Sequence, residues 1–168
     1  MKSHGTGLAP WKFAEKGEDC VFENSVLIFH PENILLGDRV YVGHQAILKG
    51  YYQNTMRIGS GVWIGQQCFI HSAGGIEIGE AVGIGPGVKI LTSQHHLLDP
   101  TVPIVHQKLD FAPVKIGKGC DIGANAVVLP GVILGDFCQV GAGAVVTKSF
   151  PDHSIVTGVP ATLKRKFE

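Results

Sequence analysis

The sequence predicts an all-β fold, a parallel β-helix of about five three-sided coils with one long inserted loop and a short C-terminal tail. Three observations lead to this prediction. An apolar residue recurs every six positions, glycine follows it in two units out of three, and every insertion comes after a third unit. A six-residue apolar period fits neither an amphipathic helix nor simple strand alternation, but it is typical of short strands separated by turns.

Each six-residue unit has two positions that are expected to face the interior. The first position is aliphatic, and the fifteen units begin at Leu36, Val42, Leu48, Ile58, Ile64, Ile70, Ile78, Ile84, Ile90, Ile116, Ile122, Val128, Leu134, Val140 and Val146. The fifth position is small or apolar in eleven units, at Val40, Ala46, Val62, Cys68, Val82, Val88, Cys120, Ala126, Val132, Cys138 and Ala144. The sequence therefore predicts a core that receives two side chains from each of these units.

Glycine adds a second, longer period. It occupies the second position of the units that begin at Leu36 and Val42 but not of the unit that begins at Leu48, and this order occurs five times. Three units therefore form one coil, which is triangular in section and has a third face unlike the other two. Because the insertions all follow a third unit, we expect their loops to leave from one corner.

We expect a single domain over residues 1–168. Residues 1–35 are predicted to form an N-terminal cap and an irregular partial coil, with Trp11 and Phe13 as apolar cover. Residues 36–151 are predicted to form the regular coils, with residues 92–113 as an active-site loop, and residues 152–168 a C-terminal tail. Caps are needed because each coil of a solenoid contacts only its neighbours.

Composition excludes several classes of partner. Charged residues make up 17% of the chain and balance to a formal net charge of zero, so the basic surface that nucleic acid requires is missing. No apolar run has the length of a signal peptide or a membrane span. We therefore expect a cytoplasmic protein without nucleic-acid or membrane partners.

The four cysteines are expected to be reduced. They show no CxxC spacing, and three of them, Cys68, Cys120 and Cys138, occupy the inward fifth position of a unit. A free cysteine behaves there as a small hydrophobic residue. We predict neither disulfides nor a metal site from these residues.

The run from Ile116 to Ala161, which contains GAGAVVTK and ends in GVPA, resembles the hexapeptide-repeat acyltransferases. These are left-handed β-helix enzymes that include the sugar O-acetyltransferases of the galactoside and maltose type. The resemblance implies a left-handed coil, a homotrimer and acetyl-CoA as co-substrate without a metal. It also implies direct acetyl transfer to a hydroxyl of a saccharide or nucleotide-sugar.

The same resemblance indicates the catalytic residue. The family places its catalytic histidine just before the long loop, after a GPxV unit, and the matching segment here is GPGVKILTSQHH, from Gly85 to His96. The matching position is His95, and His96 is the competing candidate. A neutral imidazole is suited to remove the acceptor's proton near pH 7.

Because the insertions share a corner, the two shorter loops are expected to stack near His95. We predict Tyr52, Asn54, His71 and Ser72 as residues that hold the acceptor, and Tyr51 lies beside them. For His71, a solvated turn histidine is the alternative. Asp99 is predicted with these acceptor-binding residues, and either Asp99 or a backbone carbonyl is expected to orient His95 through its other ring nitrogen.

Coenzyme A is expected to lie along a groove between the later coils. The resemblance assigns pantetheine hydrogen bonds to the backbone of Ala124 and Ala142, with small residues allowing close approach and basic residues meeting the nucleotide end. The remaining predicted cofactor-binding residues are Gly123, Gly141, Gly143, Thr147, Lys148 and Arg165. For the basic run around Arg165, a solvated tail is the alternative to a contact with the 3′-phosphate.

Several other functions stay open. A sugar N-acetyltransferase or a xenobiotic acetyltransferase would share the fold and the co-substrate. A γ-class carbonic anhydrase would need a second histidine five residues after His44, where the sequence has Lys49. A non-catalytic β-helix that serves only in assembly is the remaining class.

Overall fold

The computed structural model describes residues 5–96 and 98–167, which form a three-faced parallel β-solenoid. The first two coils contain β1 (Glu15–Lys16), β2 (Val21–Phe22), β3 (Leu27–Phe29), β4 (Ile34–Leu36), β5 (Tyr41–Val42) and β6 (Ile47–Lys49). The next two contain β7 (Met56–Ile58), β8 (Trp63–Ile64), β9 (Phe69–His71), β10 (Ile76–Ile78), β11 (Gly83–Ile84) and β12 (Lys89–Ile90). After the hairpin of β13 (Ser93–His95) and β14 (Leu109–Phe111) come β15 (Val114–Ile116), β16 (Asp121–Ile122), β17 (Val127–Val128), β18 (Ile133–Leu134), β19 (Gln139–Val140), β20 (Val145–Val146), β21 (Ser154–Thr157) and β22 (Thr162–Lys166).

The strands stack into three sheets, one for each face of the prism. Face A stacks the first strand of every coil, from β1 to β18, and face B stacks the second strands and continues through β21 and β22. Face C stacks the third strands, from β3 to β20. We name the corners AB, BC and CA after the faces that they join. The structure thus confirms the predicted all-β parallel solenoid with three-unit coils.

Two columns of side chains fill the interior, as the six-residue period predicts. All fifteen first-position residues and all eleven fifth-position residues named above are at most 3% exposed. Each fully buried aliphatic side chain of this size contributes roughly 1.5–3 kcal/mol relative to an exposed one. The repeat therefore encodes the core directly.

The structure has more coils than the five predicted. Within its described residues there are six complete coils and the start of a seventh, because β1 to β3 form a complete coil where a cap and an irregular partial coil were expected. The six-residue register does continue through this coil, with Gly17 at a second position and Cys20 and Val26 at fifth positions. Two of its three first positions carry Lys16 and Phe22 instead of aliphatic residues, which is why the coil was missed.

An aromatic cluster closes the N-terminal end, where the first coil has no neighbour on one side. The rings of Trp11, Phe13 and Phe22 lie with centroids 5.4–6.3 Å apart. The predicted cover by Trp11 and Phe13 is therefore present, with Phe22 as a third member. Aromatic rings suit this position because each one buries a large apolar area.

The C-terminal segment extends the prism and then reverses. Phe150 is buried and bridges to Leu134 of face A, and β21 continues face B in parallel with β19. The last strand, β22, pairs with β21 in the antiparallel direction. Residues 152–168, expected to be a tail, thus contain the last two strands of face B.

The cysteines are free, and three of them are buried. Burial raises the pKa of the Cys120 thiol to about 12, and it also raises the pKa of Cys68 and Cys138. Such thiols stay protonated and unreactive at neutral pH. Among the described residues, no helix has the length and apolar character needed to cross a membrane.

Glycine at the second position is required by the spacing between coils. A Cβ on Gly59 would lie 2.8 Å from the backbone nitrogen of Glu80 in the next coil, whereas a Cβ on Gly83, within a strand, would meet no atom closer than 3.6 Å. We predict that Gly59→Ala lowers the free energy of unfolding by about 1–3 kcal/mol, the usual cost of overpacking.

The matched control for this prediction is Gly83→Ala, which should leave stability unchanged or raise it because the added methyl has room. Urea unfolding monitored by circular dichroism measures both variants. Equal stability of the two variants would contradict the steric explanation.

Candidate functional site

The inserted loops leave from corner CA, as predicted, and hydrogen bonds tie each one to the next. Asn33 Nδ2 donates to the carbonyl of Tyr51 at 2.7 Å, and Asn54 Nδ2 donates to the carbonyl of Ala73 at 2.7 Å. Thr92 Oγ1 donates to the carbonyl of His71, also at 2.7 Å. The corner is therefore a stack of loops held in a fixed order.

Thr92 anchors the long loop to the loop below it. Its side chain is fully buried, and Oγ1 also accepts a hydrogen bond from the backbone nitrogen of Gly74 at 2.9 Å. The carbonyl of Thr92 in turn accepts from the backbone nitrogen of Ala112 at 3.0 Å, at the far end of the same loop. One residue thus joins both ends of the long loop and the loop beneath.

The long loop is ordered internally by a hairpin and a turn. Strand β13 pairs antiparallel with β14, and a 3-10 helix, Ile104–His106, lies between them. Near the tip, Gln107 Oε1 accepts from the backbone nitrogen of Leu98 at 2.9 Å. Asp99 Oδ1 accepts from the backbone nitrogen and the hydroxyl of Thr101 at 2.8 and 2.7 Å.

The two adjacent histidines lie on opposite faces of this hairpin, because successive side chains of a strand alternate. In the register, His95 is opposite Leu109 and Ser93 is opposite Phe111, so these four side chains share one face. His96 follows directly after β13 and lies on the opposite face, with Gln94 and Asp110. Its Nδ1 lies 2.6 Å from Asp110 Oδ2. The two candidates for the base therefore have different surroundings.

The face that carries His95 is turned toward the shorter loops. The ring of Phe111, on this face, lies 6.2 Å from that of Tyr51, whose ring meets that of His71 at 5.9 Å in an edge contact. Tyr51 also packs on Tyr52 at 4.5 Å. Burial and the neighbouring Tyr52 raise the pKa of Tyr51. His95 thus shares a hairpin face with the ring that contacts this aromatic cluster of Tyr51, Tyr52 and His71.

The other predicted acceptor residues fall into two groups. Tyr52 is 66% exposed and His71 half-buried, so both side chains have surface to offer. Ser72 is fully buried, and its Oγ has no hydrogen-bond partner among the described residues. The amide nitrogen of Asn54 is held by Ala73. In this conformation, Ser72 and the Asn54 amide nitrogen are placed to support the loops.

The expected contact between Asp99 and His95 is not formed. The bonds from Thr101 occupy one oxygen of Asp99 and hold the pKa of that carboxyl below its usual range. The carboxylate that does contact a histidine here is Asp110, which the sequence did not single out. Its partnership with His96 depends on the register of the hairpin.

The predicted pantetheine residues lie at corner BC. The backbone nitrogens of Ala124 and Ala142 donate no backbone hydrogen bond within the described residues, so both are open to an external acceptor. A Cβ on Gly123 would lie 2.5 Å from the nitrogen of Ala142, and one on Gly141 would lie 2.7 Å from Thr157 Cγ2. The next coil is thus one reason for glycine at these two positions, and their contact with coenzyme A stays a prediction.

The remaining predicted cofactor residues are spread over different faces. Gly143 has a φ of 67° and open space around it. Thr147 and Lys148 follow β20 toward corner CA, with Lys148 Nζ 5.7 Å from the Phe150 ring centroid. Arg165 is opposite Ile155 on face B, and its guanidinium lies 5.8 Å from the centroid of Phe167. A single chain does not gather these residues into one pocket.

Comparisons with known proteins agree with the fold and the repeat. Residues 113–148 match the family model described as the hexapeptide repeat of succinyl-transferase. The chain is a hexapeptide-repeat protein. A protein of Mycobacterium tuberculosis that is named as a probable acetyltransferase is 33% identical over 126 residues, which are 75% of this chain and 42% of that protein.

Two further likenesses cover most of this hexapeptide-repeat protein. WbbJ of Escherichia coli K12, named for an O-acetyl transferase of lipopolysaccharide biosynthesis, is 28% identical over 88% of this chain and 76% of its own. A mutant form of AntD, an N-acyltransferase from Bacillus cereus solved with dTDP and coenzyme A, superposes with a TM-score of 0.83 and 25% identity over 93% of this chain and 85% of that chain. The chain spans 42–61% of the length of the first curated relatives that it matches.

The carbonic anhydrase alternative gains no support from the geometry of the hexapeptide-repeat protein. His44 Nε2 lies 3.4 Å from Glu23 Oε2, and Lys49 stands where a second histidine ligand would be needed. Over residues 5–96 and 98–167, no three His, Cys, Asp or Glu side chains are grouped to hold a metal ion.

The position of Thr92 gives a prediction for the stability of corner CA. Thr92→Val removes a buried hydroxyl and leaves the carbonyl of His71 and the nitrogen of Gly74 without their partner. We expect a loss of about 1–3 kcal/mol in the free energy of unfolding, since buried polar groups are costly to leave unsatisfied. Chemical denaturation measures this loss, and Thr92→Ser should restore most of it. Wild-type stability of Thr92→Val would show that the hydroxyl does not anchor the loop.

Proposed function

We propose that this protein is an acetyl-CoA-dependent acyltransferase that moves an acetyl group to a hydroxyl of a saccharide or nucleotide-sugar. The observation that carries the proposal is the placement of His95, whose exposed side chain shares a hairpin face with Phe111, the ring that packs against the aromatic cluster. WbbJ, named for an O-acetyl transferase, supports the hydroxyl as acceptor. The likeness to the N-acyltransferase AntD favours a sugar amine as the second candidate.

His95 is the proposed general base. Its neutral imidazole takes the proton of the acceptor hydroxyl while the acceptor oxygen forms a bond to the thioester carbonyl carbon. The C–S bond then breaks, the thiolate of coenzyme A leaves, and the imidazolium returns the proton to it. A backbone N–H beside the carbonyl stabilises the oxyanion between these two steps.

His95 suits this role better than His96. The ring of His95 makes no hydrogen bond within the part of the chain that the structure describes, so a ring nitrogen is open to an acceptor. Asp110 engages one nitrogen of His96 on the opposite face of the hairpin. A carboxylate-bound histidine is a common catalytic arrangement, and His96 is therefore the residue that has to be tested beside His95.

The acceptor and the coenzyme are proposed to bind at different corners. Tyr52 and His71 offer ring faces at corner CA, and aromatic faces pack well against sugars. The open backbone nitrogens of Ala124 and Ala142 at corner BC suit the amide carbonyls of pantetheine. Face C lies between these corners, so one chain alone holds the two halves of the site apart.

A homotrimer would bring the two halves together. One row of outward side chains on face C is mainly apolar and half-buried, namely Leu27, Ile47, Phe69, Val127 and Val145, with Lys89 as the exception within this row. If three copies turn face C toward a common threefold axis, the cyclic symmetry makes corner CA of one copy meet corner BC of the next. We propose this assembly, in which every site is shared between two chains.

The first test concerns His95. We predict that His95→Ala binds acetyl-CoA with wild-type affinity, because the coenzyme residues lie in later coils, but transfers acetyl roughly 10²- to 10⁴-fold more slowly, the usual worth of a positioned base. Release of free thiol from acetyl-CoA, with a panel of sugars and nucleotide-sugars as acceptors, measures the rate.

His96→Ala is the matched control and should cost far less. The assignment fails if His95→Ala works at nearly the wild-type rate on the true acceptor. If His96→Ala is the inactive variant, Asp110→Asn should also be slow, and the base is then His96.

The second test concerns the shared site. Ala142→Trp should block coenzyme binding, and His95→Ala should remove the base, so each variant alone is inactive. In trimers assembled from an equal mixture, a site that takes His95 from one variant and the coenzyme corner from the other is intact, which restores at most about a quarter of wild-type activity. Mixing after denaturation and refolding, with light scattering to confirm the trimer, makes this measurement. No recovery in mixed trimers would contradict sharing.

A further inference from the structure

The outer surface of face B carries a ladder of side chains with one rung missing. Along this face the register aligns one outward residue from each of the second strands and from β21, in the order Val21, Tyr41, Trp63, Gly83, Asp121, Gln139 and Ile155. Gly83 has no side chain, so the rung after Trp63 is empty. We name the space between Trp63 and Asp121 the face B slot.

An aromatic wall forms one side of the slot. The rings of Tyr41 and Trp63 are stacked with centroids 5.5 Å apart and planes 4° from parallel. Because they stand on neighbouring strands, one face of the Trp63 ring is covered by Tyr41 and the other is turned toward the rung of Gly83. Trp63 is 40% exposed, so part of its ring surface is accessible to a ligand.

The spacing of the coils sets the size of the slot. Strands β8 and β16 are two coils apart, which corresponds to about 9.6 Å along the axis. Within that distance, Gly83 provides a flat floor, and its flanking residues on the same coil, Ala81 and Pro86, are too small to cover it. The slot can therefore take one ring stacked on Trp63.

The opposite wall is a hydrogen-bond acceptor. Asp121 Oδ2 accepts from Gln139 Nε2 at 3.4 Å, while Oδ1 leans toward Gly83 and lies 3.6 Å from where a Cβ of that residue would be. An oxygen of a carboxylate, held by a neighbouring amide and directed into a space beside an aromatic ring, is suited to accept hydrogen bonds from hydroxyl groups.

We infer that the face B slot binds a pyranose ring of a neutral saccharide. Its apolar C–H face would stack on Trp63, and its hydroxyls would donate to Asp121. Charge favours this occupant over a nucleotide, because Asp121 lies in the slot and Glu23 accepts from the Tyr41 hydroxyl at 3.3 Å beside the wall, and both carboxylates repel phosphate.

This inference rests on the proposed function and makes the acceptor more specific. The slot lies on face B and is separated from His95 of the same chain by face C. In the proposed trimer, face B of one copy is bounded by corner BC, and corner BC lies against corner CA of the next copy. A saccharide that reaches both places must be longer than one sugar, so the slot indicates an oligosaccharide or polysaccharide acceptor.

A substitution that fills the slot tests the inference without removing any contact from the fold. Gly83→Tyr should place a third ring on the Tyr41–Trp63 stack, since a Cβ at this position has room. Val21→Tyr is the matched control, because it adds a ring to the other end of the same ladder and leaves the slot open. Asp121→Asn tests the acceptor oxygen separately.

The probe is an array of neutral oligosaccharides of two to six pyranose units, read with labelled full-length protein in the absence of acetyl-CoA. We expect wild type and Val21→Tyr to bind the same glycans. Gly83→Tyr and Trp63→Ala should bind these glycans at least tenfold more weakly, and Asp121→Asn should also be weaker. Thermal unfolding checks that each variant is folded.

Two results of the binding experiment would overturn the slot: no glycan binding by wild type, or equal binding by wild type and a folded Gly83→Tyr variant. The proposed function is tested apart from this by thiol release from acetyl-CoA. Glycan binding without transfer to any sugar would support the slot and contradict the proposed function. Transfer to sugars with unchanged kinetics in Gly83→Tyr would support the proposed function and contradict the slot.

Discussion

The hydrogen bonds between successive coils set one distance, about 4.8 Å, on which the rest of the structure depends. Each strand donates to and accepts from the strands of the coils above and below, so every residue of a coil has a neighbour at that distance. The glycines of corners AB and BC are small because of it, as Gly59 and Gly123 show. The ring stack of Tyr41 and Trp63 on face B, with centroids 5.5 Å apart, and the stacked loops at corner CA follow the same repeat along the axis. Core, loops and surface ladders thus share one repeat along the axis.

Corner CA differs from the other two because it alone accepts insertions. The loops there are joined by side-chain donors, Asn33, Asn54 and Thr92, each of which bonds to a carbonyl of a neighbouring loop. These bonds replace the strand ladder where the regular coil is interrupted. They anchor the hairpin that carries His95, and the proposed general base depends on such positioning.

The sequence predicted the features that repeat, because periodicity shows which side chains face inward. It missed the first coil because Lys16 and Phe22 replace the aliphatic residues that mark the others, and the open end of a solenoid tolerates such residues. It did not predict the pairing of His96 with Asp110, since that contact depends on the register of β13 and β14, and three-residue strands carry too short a pattern to fix a register. The buried state of Ser72 and the bond between Asn54 and Ala73 likewise follow from loop stacking, which no local signal encodes.

The reversal of the chain at β22 has a consequence for how the prism ends. A parallel stack of coils finishes in open strand edges, and an open edge is a template on which another copy can add its own strands. On face B the last strand runs in the opposite direction to the coils, all five of its residues are exposed, and it carries Lys164, Arg165 and Lys166 in succession. A second solenoid that approached this edge would meet the wrong strand polarity and a row of positive charge. The hairpin therefore limits end-to-end polymerisation of a fold whose every coil resembles the next.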